Sequence, residues 1–260
     1  MQMTKFEHVM SRVRTYKNWP TIVWPLTRLL PKERTLKTRN GPSLYVRNVF
    51  GPDAVVVHEQ FFRDDYGFSK IKLARSVPIV LDLGANIGAF SLFALEAVRQ
   101  RGGKIFAYEP DESNFKILQK NIALNQGAGV IIAIKEAIHT SEGGQEFFLS
   151  AQEYAHSLVE EQLGGASVGS QKVQCTTIEK VLKKYDLEAV DLLKLDIEGS
   201  EYEVLYQFPP ELFKKIRNIV LEIHLHSRYS SKELVSFLEK QGFIVSVSLG
   251  NSNVYTARKD

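Results

Sequence analysis

The sequence predicts an α/β fold: a mostly parallel sheet with helices on both faces, an antiparallel hairpin at one edge and an N-terminal cap. Three observations predict it. From about residue 79 onward, short apolar runs alternate with helix-length amphipathic stretches, the pattern of strands joined by crossover helices. The last two strand-like runs are instead separated by a short turn at Gly250-Asn251, which suits a hairpin. Residues 1–75 show no such alternation, so they are set apart as a cap on a domain spanning 76–260.

Ile79–Leu83 reads as the first strand and Gly88–Gln100 as the helix that follows it. Lys104–Glu109 is the next strand, after which Asn114, Ile117, Leu118, Ile122 and Leu124 mark a helix with an apolar stripe. Val130–Ile134 makes a third strand. Gln145–Leu149 is expected to fold back on the segment before it across Gly143-Gly144. Ala151–Ser170, rich in Gly, Ser and Gln, reads as a loop long enough to cover a site. Thr176 to Glu179 has the spacing of a capping box and opens a helix to about Tyr185. Val190–Leu195 and Ile219–Leu225 are strands, with a short helix after Gly199 between them. Ser230 to Glu233 repeats the capping-box spacing and starts a helix that stops at Gly242. Phe243–Val247 and Val254–Thr256 complete the sheet.

At 260 residues and 44% hydrophobic content, the chain suits one α/β domain with an added segment. Its single cysteine, Cys175, forbids an internal disulfide, which fits a reducing compartment. No apolar run reaches the ~18 residues a bilayer span needs, and the N-terminus lacks a secretory pattern, so a soluble cytoplasmic protein is expected. Charge is unevenly spread: residues 1–40 carry nine Lys or Arg against Glu7 and Glu33, leaving the rest at −4 within a total of +3. An acidic body of that kind repels phosphates and, with no N/D-P-P-Y-type segment, nucleic acid is not the expected substrate.

The most informative segment runs from Val80 through Asp82, Gly84, Asn86 and Gly88 to Phe90. An apolar strand enters a tight glycine-bearing turn and an amphipathic helix leaves it, at the end of an open α/β sheet where ligands bind. Gly84 and Gly88 would allow close backbone approach to a ligand. Asn86 and Ala89 stand where a dinucleotide fingerprint wants glycines, so the turn suits a pyrophosphate poorly. The next strand ends at Glu109, and an acid there can accept both hydroxyls of a ribose. Asp82, just before the turn, is placed to meet an amino or cationic group. A nucleoside that carries an amino acid and no phosphate describes S-adenosylmethionine.

Asp82-x-Gly84-x-Asn86-x-Gly88 resembles motif I of class I methyltransferases, which have a Rossmann-like fold, and Glu109 to Phe115, with Asn121 and Asn125, resembles the motif that follows it. Leu193-Lys-Leu-Asp-Ile-Glu-Gly-Ser-Glu201 resembles the K-x-D-x-E-G-x-E signature of the FkbM family, with Ser200 where Ala is usual. The resemblance extends from about residue 55 to 225, taking in Glu59 and Tyr66 upstream and Leu221 to His224 downstream. It implies that Asp82, Gly84, Asn86 and Gly88 line the methionine end of S-adenosylmethionine, that Glu109 binds its ribose, and that Glu136 and Ala137 meet adenine. It also implies a hydroxyl acceptor on a small molecule, sugar, glycolipid or polyketide.

Methyl transfer asks the protein to align an acceptor and help remove its proton. Asp196, with Glu198 and Glu201 just beyond it, and the alternating Glu222, His224 and His226 are the candidates, because a central parallel strand is normally apolar. Asp196, His224 and Glu198 are taken as the catalytic set. Two carboxylates and an imidazole could also hold a divalent ion, although no compact metal motif is present. A nicotinamide-dependent oxidoreductase and a non-catalytic scaffold are the competing readings.

Upstream, Trp19, Ile22, Val23, Trp24, Leu26, Leu29 and Leu30 lie close to Arg28, Lys32 and Arg34, with prolines 20, 25 and 31 limiting helix to short turns. Tryptophans beside basic residues suit peripheral membrane contact. They suit equally a cap packed on the catalytic domain or on a second subunit of a homo-oligomer, and that is the reading preferred.

Overall fold

The computed structural model describes residues 5–23, 33–39, 41–150, 167–248 and 251–259. Two helices, α1 (Lys5–Thr15) and α2 (Pro20–Val23), lead to a two-stranded ribbon of β1 (Arg34–Lys37) and β2 (Ser43–Val46). Proline opens α2, where its missing N–H costs nothing. Helix α3 (Pro52–His58) runs on into a widened π-type turn at Glu59–Arg63, and a single 3-10 turn follows at Phe68–Lys70. The main alternation comes next: β3 (Ile79–Leu83), α4 (Ala89–Arg99), β4 (Lys104–Tyr108), α5 (Glu112–Leu124) and β5 (Ile131–Ile134). A small sheet of β6 (Ala137–Ile138), β7 (Gly143–Ser150) and β8 (Ser167–Thr176) interrupts it. The chain then completes α6 (Ile178–Lys184), β9 (Leu192–Leu195), α7 (Glu201–Gln207), β10 (Asn218–Glu222), α8 (Ser231–Lys240), β11 (Ile244–Val247) and β12 (Val254–Arg258).

The seven-stranded sheet has the order β11-β12-β10-β9-β3-β4-β5. Its pairings are parallel except around β12, which runs antiparallel to both β10 and β11 and so makes the expected hairpin. Strand order reverses between β3 and β9, and a crevice outside the carboxyl ends of those two strands is where such sheets bind ligands. Successive residues serve opposite faces: Val80, Leu192 and Val220 join one buried cluster with α4 and α5. Leu81, Leu83, Leu193, Leu195, Ile219 and Leu221 join a second cluster with α6, α7 and α8.

The N-terminal segment shares the first of these clusters, through Tyr16, Ile22, Leu36, Leu44, Val46, Val49 and Val57. Trp19 packs against the same cluster. The asparagines of α5 fasten this segment down: Asn121 accepts from the Tyr45 N–H at 2.6 Å and donates to the Ile87 carbonyl at 2.9 Å. Asn125 exchanges both hydrogen bonds with Ser43. Trp24, Leu26, Arg28, Leu29, Leu30 and Lys32 of the basic arm lie outside the described residues. No helix among the described residues is long and apolar enough to cross a membrane.

Four local readings need correction. Gly143-Gly144 is not a turn but the start of β7, which pairs with β8 rather than with the segment before it; Phe147 thereby buries against Val173, Cys175 and Ala137. Of the expected loop 151–170, residues 151–166 lie outside the described residues and Ser167–Ser170 already belong to β8. Thr176 stays in β8 beside Ile138, so the cap of α6 passes to Thr177, which accepts from the Lys180 N–H, and no box can form. At α8 the box is complete, Ser230 and Glu233 each capping the other's backbone N–H. Finally, β10 ends at Glu222; the Ile223 N–H still reaches the Asn253 carbonyl opposite it, and His224 and His226 follow in irregular chain.

Candidate active site

The turn after β3 is shaped by the strand beside it. Gly84 has φ +79, and a Cβ there would lie 1.7 Å from the Asp196 carbonyl oxygen. Its glycine thus serves both a left-handed backbone and contact with the end of β9. Asn86 is also left-handed at φ +50, a conformation asparagine tolerates better than most residues. Its N–H donates to Glu109 Oε2 at 2.7 Å, while the Asp111 N–H donates to Oε1 at 2.9 Å, so the turn and the end of β4 share one carboxylate. Burial, partly opposed by these two N–H groups, pushes the Glu109 carboxyl up to about 7.

A cleft opens beside this carboxylate, with about 560 Å³ of space between its walls when the solvent at its mouth is included. Its described lining holds Asn86, Glu109, Glu136 and Ala137, with Ile138, Phe147 and Ile197 as apolar walls, and includes no Lys or Arg. A second cavity of about 1200 Å³ shares Gly84, Asn86, Asp196 and Glu198 with the first and extends to Lys194, Glu222 and His224. Two of the residues assigned to the turn stand elsewhere. Gly88, left-handed at the start of α4, lines neither cavity; its absent side chain leaves room for Leu118 of α5, which a Cβ would meet at 2.6 Å. Asp82 is fully buried beneath the turn, accepting from Ser91 Oγ at 2.6 Å and lying 3.3 Å from Lys194 Nζ.

Lys194 is a site residue that sequence reasoning quoted but gave no role. It faces the α4 side of β9, buried, and donates to the Gly84 carbonyl at 2.6 Å while lying 3.3 Å from both Asp82 and Asp196. A lysine inside an otherwise apolar strand was the available signal. Burial disfavours its charge, but the two aspartates outweigh that and raise its pKa to about 12. Asp196 also accepts from the Tyr66 hydroxyl at 2.6 Å. Burial would raise this carboxyl, yet Lys194, His224 and the tyrosine together hold it below the usual carboxylate range.

His224 is engaged through both ring nitrogens. Its Nδ1 lies 3.0 Å from Glu201 Oε1, and Glu201, fully buried, also accepts backbone N–H groups from Ile197 and Gly199. Its Nε2 faces Glu198 at 3.3 Å and Asp196 at 4.0 Å. Burial lowers the imidazole pKa, but Glu201, Glu198 and Asp196 overcome this and hold it well above the ordinary value, which favours the protonated ring. Glu198, left-handed at φ +53, is pushed up by burial and by the carboxylates around it, against the pull of His224. Such a backbone conformation in a non-glycine residue costs roughly 1–3 kcal/mol and concentrates at functional sites.

His226 does not join this group. Its Nε2 lies 3.2 Å from Glu203, and its ring packs on Tyr202 and Tyr229. Asp196, Glu201 and His224 each bring one ligand atom within 4.8 Å, a set able to hold a divalent ion. Glu201 is the weakest member for that purpose, since its oxygens are already occupied by N–H donors.

The chain is 27% identical over 224 residues to methyltransferase sdnD of Sordaria araneosa, covering 75% of this chain and 83% of that one. It is 24% identical over 236 residues to the 31-O-demethyl-FK506 methyltransferase FkbM of Streptomyces tacrolimicus, covering 81% and 89%. Among solved structures, the methyltransferase FkbM of Methylobacillus flagellatus aligns with TM-score 0.47 and 13% identity, over 78% of this chain and 52% of that one. The family model of the methyltransferase FkbM domain matches residues 82–245, from the Gly84 turn past His224, and the chain belongs to that family of methyltransferases.

Proposed function

We propose that this methyltransferase uses S-adenosylmethionine as donor and methylates a hydroxyl of a small molecule, sugar, glycolipid or polyketide. The observation that carries the reading is the pair of joined cavities: a cleft ending on Glu109, with no Lys or Arg among its described lining residues, opens past Asp196 and Glu198 into a pocket bearing His224. Asn86 and Ala89 stand where a pyrophosphate-binding turn wants glycines, which disfavours the nicotinamide alternative. In this reading Glu109 takes the ribose hydroxyls, Glu136 and Ala137 stand at adenine beside Ile138 and Phe147, and Gly84 and Asn86 meet the methionine end. Residues 76–260 carry the donor site, and residues 1–75 wall the acceptor side through Glu59 and Tyr66. O-methylation is favoured by the 31-O-methylating relative.

When bound, the donor supplies a methyl group already activated on a cationic sulfur. Transfer to an acceptor oxygen would leave the carbon–sulfur electron pair on sulfur, and the protein would have to take up the hydroxyl proton. Glu198 Oε2 takes it in its ionised form: burial pushes this carboxyl up to about 8, so the carboxylate is a stronger base than an ordinary one. His224 orients Glu198 and is itself held by Glu201.

Glu109→Ala should weaken S-adenosylhomocysteine binding by about 1.5–3 kcal/mol, read by calorimetry. Because ribose hydroxyls bond to the ionised carboxylate and the free protein's Glu109 titrates near 7, wild-type affinity should rise about five- to tenfold from about pH 6 to about pH 8. Glu109→Gln should show no such rise. Unchanged affinity in a folded Glu109→Ala protein removes the ribose role.

A further inference from the structure

The larger cavity has a wall that the donor reading leaves unused. It is built by the π-type turn and the residues after it: Glu59, Gln60, Asp65 and Tyr66, facing Glu222 and Asn251 across the opening. Gln60 is 2% exposed and Asp65 is 3% exposed. Gln60 Oε1 and Asp65 Oδ1 are buried acceptors with no hydrogen-bond partner among the described residues. An unmet buried acceptor costs about 1–3 kcal/mol, and the two residues that carry these atoms line the cavity, so a ligand that donates at this wall would relieve that cost. The turn is well fixed: Ser248 Oγ donates to the Asp65 carbonyl at 2.7 Å, and Tyr66 donates to Asp196.

Charge narrows the donor's chemistry. Five carboxyl groups line the cavity, Glu59, Asp65, Asp196, Glu198 and Glu222, against Lys194 and His224, and burial pushes all but Asp196 up from the usual carboxylate range. Those two cations are already engaged, Lys194 by Asp82 and Asp196, His224 by Glu201 and Glu198. Behind the wall one Arg63 guanidinium serves both Glu59 and Asp65, at 3.0 and 2.6 Å. Glu222 has no cation within salt-bridge distance among the described residues, only the Tyr66 hydroxyl at 3.3 Å and the Asn251 amide at 3.5 Å. The donor's own positive charge does not answer this excess, because its reactive end belongs at the residues shared by both cavities, whereas Glu59, Gln60, Asp65 and Glu222 line the larger one alone.

We infer that the Glu59–Gln60–Asp65–Glu222 wall is the acceptor's recognition subsite and that it takes an acceptor carrying a protonated amine beside the hydroxyl to be methylated. An ammonium group supplies both the N–H donors for Gln60 and Asp65 and the missing charge, whereas an acidic acceptor is repelled. Kept protonated by the surrounding carboxylates, the amine has no lone pair for the methyl group; it anchors, and the hydroxyl reacts. The inference rests on the donor site proposed above.

The test uses full-length protein saturated with S-adenosylhomocysteine and three probes of one shape: D-glucosamine, D-glucose and D-glucuronate, titrated by saturation-transfer NMR. Glucosamine should bind at least about tenfold more tightly than glucose, with glucuronate weakest. Asp65→Asn should shrink the amine preference to within about threefold, and Gln60→Glu, which adds a carboxylate to the same wall, should enlarge it. Equal or weaker binding of glucosamine overturns the subsite, as does an unchanged preference in both variants. S-adenosylhomocysteine affinity is measured first in the same samples. Its absence overturns the donor reading and the subsite together, whereas its presence without an amine preference overturns the subsite alone.

Discussion

Gly84→Ala should lower the unfolding free energy by about 4 kcal/mol or more, or prevent folding outright. The new methyl carbon would stand 1.7 Å from the Asp196 carbonyl oxygen and 2.8 Å from its carbon, and neither backbone atom can turn aside. Strand β9 would have to separate from β3, where Asp196 N–H donates to the Leu83 carbonyl. Left-handed backbone at φ +79 adds roughly 1–2 kcal/mol for any residue with a Cβ. Gly88→Ala is the informative partner, since its nearest contact is the end of the flexible Leu118 side chain, and about 1–3 kcal/mol is expected. Urea denaturation of both variants checks this. A Gly84→Ala protein destabilised by no more than Gly88→Ala would show that the two strand ends are not packed as described.

The second large effect is on turnover. Glu198→Gln and His224→Ala should each reduce kcat by about 10²–10⁴-fold while changing S-adenosylhomocysteine affinity little, as expected when a proton acceptor and its orienting partner are lost. Glu198 Oε2 and His224 Nε2 face each other at 3.3 Å, so the double variant should be little worse than either single one. Asp196→Asn is a less selective probe, because Asp196 also holds Tyr66 and Lys194 in place. The assay follows methylated product by mass spectrometry once an acceptor is found, with EDTA added in parallel. Full activity in Glu198→Gln removes it as base, and loss of wild-type activity with EDTA would instead make these residues metal ligands.

Much of this arrangement was legible in the sequence because periodicity and strand-end acids report local physics. Ile79–Leu83 was bounded as observed, and Gly88–Gln100 brackets the observed helix with its two caps. Asn86, Glu109, Glu136 and Ala137, distant in the chain, do line one cavity. Partnership between distant elements was not legible. Nothing local says that Gly84 is small because β9 abuts it, or that Asp82 is spent on Ser91 and Lys194. Period-two spacing placed His226 beside His224, but β10 ends first and a tyrosine cluster takes His226 instead. Gln60 and Asp65 carry no motif at all, and only the fold of the N-terminal segment over the sheet brings them to the cavity.

The donor identity is tested most directly by titrating the wild-type protein with S-adenosylhomocysteine and, separately, with NADH in a calorimeter at about pH 8, where Glu109 is ionised. S-adenosylhomocysteine should bind one per chain with a dissociation constant of about 1–100 μM, and NADH should give no saturable heat. Saturable NADH binding with none for S-adenosylhomocysteine would contradict the account at its centre.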